Sequence, residues 1–200
     1  GVDAIIVQDM GLIEMAAEGK LPPIQLHAST QCNNRTLEKA KFFEEVGVSR
    51  VILARELSVD KISEICNSVS CEVETFIHGA LCVSYSGQCY FSYANGGRSA
   101  NRGECAQPCR KKYSLIDANG KVILKDKYLL SLKDFNASKS IAKLINCGVK
   151  SFKIEGRLKD INYVKNVVAY YNILINEYAN RVSSGKVFLD FEPNVDKTFN

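Results

Sequence analysis

The stretch "RVILARELSVDKISEICNSVSCEVETFI", residues 50–77, decides the fold. It holds an apolar run, "RVIL" (50–53), then a helical pattern, "VDKISEICNSV" (59–69), then a second run, "EVETFI" (72–77). Runs this short suit strands, and apolar residues at three-to-four spacing suit a helix. The same alternation extends outward in both directions. "AIIV" (4–7) precedes "GLIEMAAEGK", "PIQL" (23–26) precedes "TLEKAKFFEEVG", and "SFKI" (151–154) precedes "NYVKNVVAYYNILINEY". Leu37, Ala40, Phe43 and Val46 mark one helix face, and Gly47 and Gly148 punctuate helix ends. Strand–helix alternation predicts a parallel sheet with right-handed crossovers. The expected fold is α/β, part of a TIM-type (β/α) barrel, with about five strand–helix units where a closed barrel has eight. Because the pattern is already running at Gly1, roughly three further units are expected upstream.

Two hundred residues at 46% hydrophobic content suffice for one core-bearing domain over residues 1–200. Charged residues make up 24% and there is no long apolar run, which excludes a membrane span and argues against disorder. No basic-then-apolar leader opens the chain, which reads as a piece of a longer protein. The net charge of +4 permits a polyanionic partner without selecting one. Eight cysteines without a secretory signal favour a reducing compartment, here the cytoplasm, where clustered thiols are more often metallic or catalytic than disulfide-bonded.

The alternation breaks once, in an insertion of about residues 80–130. Its second half, "KYSLIDANGKVILKDKY", has "ANG" between two apolar alternations and reads as a β-hairpin. A loop this long in a compact domain usually carries function. Its first half holds Cys82, Cys89, Cys105 and Cys109, spaced C-x6-C-x15-C-x3-C. Structural zinc favours tight cysteine pairs, which only Cys105 and Cys109 form. An all-thiolate set on a Gly-rich loop suits a 4Fe-4S cluster, each iron taking one thiolate. From spacing alone, iron–sulfur cluster and zinc both stay open. Cys32, Cys66, Cys71 and Cys147 lie in or beside regular elements and read as buried free thiols. The same loop is basic and aromatic: Arg98, Arg102, Arg110, Lys111 and Lys112 oppose Glu104 alone, with Tyr85, Tyr90, Phe91 and Tyr93 interleaved. Guanidinium groups fork onto phosphates and rings stack on splayed bases, so RNA competes with a plain solvated loop.

Ligands of parallel α/β folds bind at the carboxyl ends of the strands. The apolar runs are followed by Gln8 and Asp9, by His27 and Gln31, by Arg55 and Glu56, by His78 and Gly79, and by Glu155 and Arg157. Asp9 can equally cap the helix behind it. His27, His78, Glu155 and Arg157 are the expected catalytic groups. Arg55, Gln31, Arg98, Arg102, Arg110 and Tyr85 are the expected substrate contacts.

"ETFIHGALCVSYSGQC" resembles the signature of the peptidase U32 (collagenase-like protease) family, and "GGRSANRGECAQPCR" and "KIEGRLKDINYV" are similar to its later blocks. The resemblance runs along nearly the whole chain. It implies a TIM-type barrel and, despite the family label, hydroxylation of RNA bases or a quinone precursor without molecular oxygen. It implies a 4Fe-4S cluster on Cys82, Cys89, Cys105 and Cys109, with prephenate as oxygen donor for RNA targets. "CAQPCR" with "GGRSANRG" resembles the branch that makes 5-hydroxycytidine in large-subunit rRNA more than the tRNA-uridine branch.

The expected function is therefore RNA hydroxylation. Arg157 or Arg55 would grip a carboxylate of the donor, because guanidinium matches carboxylate in a fork. His78 would move a proton, since imidazole titrates near working pH. Two alternatives stand beside it. One is a peptidase with Cys82 as nucleophile and His78 as base, although neither an HExxH nor a Gly-x-Ser-x-Gly motif is present. The other is a zinc module that binds RNA or protein. No membrane partner is expected, and exposed sheet edges would favour a homodimer.

Overall fold

In the computed structural model, which describes residues 1–178 and 189–197, the short apolar runs become strands and the amphipathic segments become helices. In chain order these are β1 (Ala4–Val7), α1 (Met10–Ala17), β2 (Gln25–Ala28), α2 (Leu37–Glu45), β3 (Arg50–Ile52), α3 (Val59–Cys66) and β4 (Glu72–Gly79). The insertion adds α4 (Phe91–Gly96) and the strands β5 (Tyr113–Ile116) and β6 (Val122–Lys127). The chain continues through β7 (Phe135–Asn136), α5 (Ile141–Asn146), β8 (Ser151–Glu155) and α6 (Ile161–Tyr178).

Strands β1, β2, β3, β4 and β8 lie parallel in that order, a curled half-barrel of five strands. The two-residue β7 joins the end of β4 antiparallel. The helices begin where side chains satisfy their free amides: Asp9, Thr36 and Ser58 each accept from the amide three residues on. Asp160 does the same for Asn162 and Tyr163 at the start of α6. The capping reading of Asp9 holds. One apolar core joins the outer sheet face to the helices, with Ala40, Phe43, Val51, Ile62, Val73 and Val167 among its buried members. No helix among the described residues is long and apolar enough to cross a membrane.

Two strands run differently from the sequence reading. β2 starts at Gln25, two residues after the start of "PIQL", because Pro22 and Pro23 have no N–H for a ladder. His27 is thus inside the strand. β4 runs on to Gly79, so His78 is inside it too. The β4–β8 ladder also carries a bulge. Phe76 pairs Lys153 and His78 pairs Ile154, with Ile77 as the extra residue. Strict alternation would aim His78 to the same side as Phe76; the bulge reverses it.

The hairpin forms where "ANG" stands. Asp117 Oδ1 accepts from the amides of Asn119 and Lys121, both at 2.9 Å, and Gly120 takes the positive φ of 83°.

Candidate functional site

The strand ends and the cysteine loop together enclose a cavity of about 170 Å³. β2 leads to Gln31, β3 to Arg55, β4 to Cys82, and β8 ends on Glu155 just before Arg157; all of these residues line it. The insertion contributes Tyr85, Cys89, Cys105, Cys109 and Arg110. The four predicted thiol ligands are thus brought together from 28 residues of chain onto one cavity with ten of the predicted site residues in all.

Arg55 is held between a ring and a carboxylate. Its guanidinium lies 3.9 Å from the centroid of the Phe76 ring, and Nη2 donates to Glu155 Oε2 at 3.1 Å. Burial lowers its pKa, opposed by Glu155, Cys82 and Glu56. Its Nε is buried without a hydrogen-bond acceptor, so one donor of the fork stays unused. Glu155 Oε1 accepts from the Arg157 amide at 2.9 Å, and Arg157 Nη1 donates to the Gly103 carbonyl at 3.2 Å.

The loop is docked by specific contacts. Ser86 donates through its amide and its hydroxyl to the Glu56 carboxylate, each at 3.0 Å. Gly87, at φ 74°, lies so close to the Gln31 carbonyl that a Cβ there would sit 2.3 Å from its oxygen. The Arg35 guanidinium stacks 4.3 Å from the Tyr85 ring centroid. Arg110 is the loop's clamp: it donates to the Leu81 carbonyl and the Ser131 hydroxyl, both at 2.8 Å, and to the Leu132 carbonyl. Those bonds hold the start and the end of the insertion together beside the cavity that Arg110 lines.

All eight cysteines are free thiols. Cys105 Sγ accepts from the Gln107 amide at 3.4 Å and the Ser92 hydroxyl at 3.9 Å. Donors aimed at sulfur suit a thiolate ligand. Burial raises the Cys109 thiol, Arg110 opposes it, and Cys82, Cys105 and Cys89 push it up further, so the four sulfurs sense one another. Among the described residues no three His, Cys, Asp or Glu side chains converge on a point suited to a single metal ion. Ligands at the corners of a cluster bind separate irons and need not converge so tightly. Four thiols on one cavity wall are a donor set that could hold such a cluster. Three other thiols are held protonated: burial pushes Cys32 and Cys71 up to about 11, and burial with Cys147 nearby pushes Cys66 up to about 12.

Four predicted site residues stay outside the cavity. His78 is turned by the bulge toward α6, where Nδ1 lies 3.2 Å from the Tyr171 hydroxyl. His27 pairs in register with Arg50, the first residue of β3. It sits in a charged layer where Glu74 accepts from Arg50 and Ser151 and faces Lys153 at 3.6 Å. The side chains of Arg98 and Arg102 are exposed and bond to no described residue. Two contributors were not among the expected site residues. Glu56, noted only as a polar group at a strand end, anchors the loop. Phe76, the platform under Arg55, showed only as part of an apolar run.

A parallel half-barrel with a thiol-lined cavity at the carboxyl ends of its strands defines an α/β protein whose site is capped by one inserted loop. The chain belongs to peptidase family U32, which it matches over residues 1–200. Over its whole length it is 52% identical to the 23S rRNA 5-hydroxycytidine synthase of Escherichia coli, covering 31% of that protein. Over 88% of its length it is 40% identical to the tRNA hydroxylation protein P1 of Bacillus subtilis, covering 43% of it. Over 90% of its length it is 34% identical to a collagenase of Porphyromonas gingivalis, covering 45% of it. The chain thus spans less than half the length of each of these relatives.

Proposed function

We propose that this chain is part of an RNA hydroxylase that works without molecular oxygen, forming 5-hydroxycytidine in 23S rRNA or 5-hydroxyuridine in tRNA. Prephenate is the oxygen donor, and a 4Fe-4S cluster is held by Cys82, Cys89, Cys105 and Cys109. The reading is carried by four distant thiols lining one cavity with Arg55, Arg157 and Glu155, in a chain 52% identical to an rRNA 5-hydroxycytidine synthase. When bound, the cluster would supply iron for activating the donor.

The chain's own groups bind and orient. Arg55 offers a fork already shaped by its bond to Glu155, and a donor carboxylate would take up the unused Nε–H. Glu155 is the carboxylate of the cavity and orients Arg55 and the Arg157 amide around it. The base would approach the cavity while sugar and phosphate stay outside, near the exposed rings of Tyr85, Tyr90 and Tyr93.

The test is to purify the intact protein anaerobically and assay iron and labile sulfide. Cys82→Ala and Cys105→Ala should lose the cluster, and RNA from cells lacking the gene should lose one hydroxypyrimidine by mass spectrometry. A full cluster in those variants would remove this reading. The peptidase reading rests on the family label and a collagenase relative. It would need Cys82 beside His78, and the His78 ring bonds Tyr171 instead.

A further inference from the structure

The β5–β6 hairpin buries almost nothing. Every residue of β6 is exposed, and apolar side chains on both strands face solvent, including Leu115, Ile116, Ile123 and Leu124. A lone two-stranded hairpin is marginal in water, and contiguous apolar exposure marks an interaction surface. Charge indicates the partner. Residues 111–133 hold six lysines and two aspartates, a net +4, as much as the whole chain. Asp117 is occupied by its own turn. Lys111, Lys112, Lys121, Lys125, Lys127 and Lys133 are all exposed. None of the six pairs with a described carboxylate; the lysines that do so are Lys20, Lys61, Lys153 and Lys159.

The hairpin is rooted on the cavity rim. The Tyr113 ring stacks on Phe91, a cavity-lining residue, with centroids 6.2 Å apart. The Tyr113 hydroxyl donates to the Pro108 carbonyl at 2.7 Å, and Arg110 ties the hairpin's far end to Leu81.

We infer that the β5–β6 hairpin is a second RNA-contacting arm: its lysines hold phosphates of the strand flanking the reacting nucleotide, and its apolar side chains lie against that strand's bases. The inference rests on the RNA reading above. An acidic protein could also meet six lysines, but a basic arm rooted at the mouth of an RNA site lies where flanking phosphates must pass.

The experiment uses the intact protein with Lys121→Gln, Lys125→Gln and Lys127→Gln combined, a mixed-sequence single-stranded RNA as probe, and RNA from cells lacking the gene as substrate. Each lost phosphate contact lowers the slope of log affinity against log salt by about 0.7, so a fall of about 2 is expected. KM for RNA should rise while the rate at saturating RNA is retained. The matching Lys→Arg triple should restore the slope, which separates charge from misfolding. An unchanged slope where wild type binds RNA overturns the inference and leaves the hydroxylase reading standing. A lowered slope with no hydroxylated base supports the arm and removes the hydroxylase. Should Leu115→Ser with Leu124→Ser alter the oligomeric mass while the lysine variants bind RNA normally, the face belongs to a protein and the inference falls.

Discussion

Asn34 joins two strand ends through one amide. Its Nδ2 donates to the Ser29 carbonyl at 2.8 Å and the Ile52 carbonyl at 2.9 Å, and the residue is fully buried. Truncation would take the side-chain donor from the buried Ile52 carbonyl, just below Arg55, while the Ser29 carbonyl keeps the Cys32 amide at 2.9 Å. One unsatisfied buried acceptor costs about 1–3 kcal/mol, so Asn34→Ala is expected to lower stability by about 2 kcal/mol. Urea unfolding of the intact protein measures it, and a loss under about 1 kcal/mol would mean that water replaces the amide. Nothing in the sequence pointed to this residue, because an asparagine in "TQCNNRT" reads as ordinary loop chemistry.

At the scale of elements, the strand–helix units were legible because their apolar spacing differs so plainly, and the hairpin because "ANG" has turn chemistry. The face that His78 presents was not legible. A bulge depends on how β4 meets β8, and no local pattern encodes an extra residue at Ile77. The path of the cysteine loop was hidden too, since its anchors Glu56 and Gln31 lie far away in sequence. That docking is testable. In Gly87→Ala the new methyl would meet the Gln31 carbonyl oxygen at 2.3 Å, and φ is already positive. Iron per chain should fall severalfold in anaerobic preparations while far-ultraviolet circular dichroism stays as in wild type; undiminished iron would show that the loop docks without this contact. For Arg110→Lys, a single ammonium cannot reach Leu81, Ser131 and Leu132 together. Trypsin is expected to cut within residues 111–133 several times faster than in wild type, read by mass spectrometry of the fragments.

For the molecule as a whole, both histidines report on acid stability. Burial, then Arg50, holds His27 below the ordinary 6.5, against the pull of Glu74 and Glu72. Burial does the same for His78, with Asp134 opposing it and Lys159 assisting. A lowered folded-state value means that the unfolded chain takes the proton first as pH falls. The stabilisation is therefore complete above about pH 6.5 and is lost as pH drops toward the folded-state values. The melting temperature of the intact protein should fall between pH 7 and pH 5, and His78→Gln should flatten the dependence. An identical slope in that variant would place the acid sensitivity elsewhere. The whole fold also shows where the insertion meets the barrel. Leu81, where it leaves, and Ser131, where it returns, hang on the one guanidinium of Arg110. The ends are stapled together, so the barrel senses only the staple. Doubling a flexible loop's length costs only about 0.6 kcal/mol of closure entropy. Beyond Arg110 the hairpin can therefore change in length at little thermodynamic cost, while the cysteines keep their places.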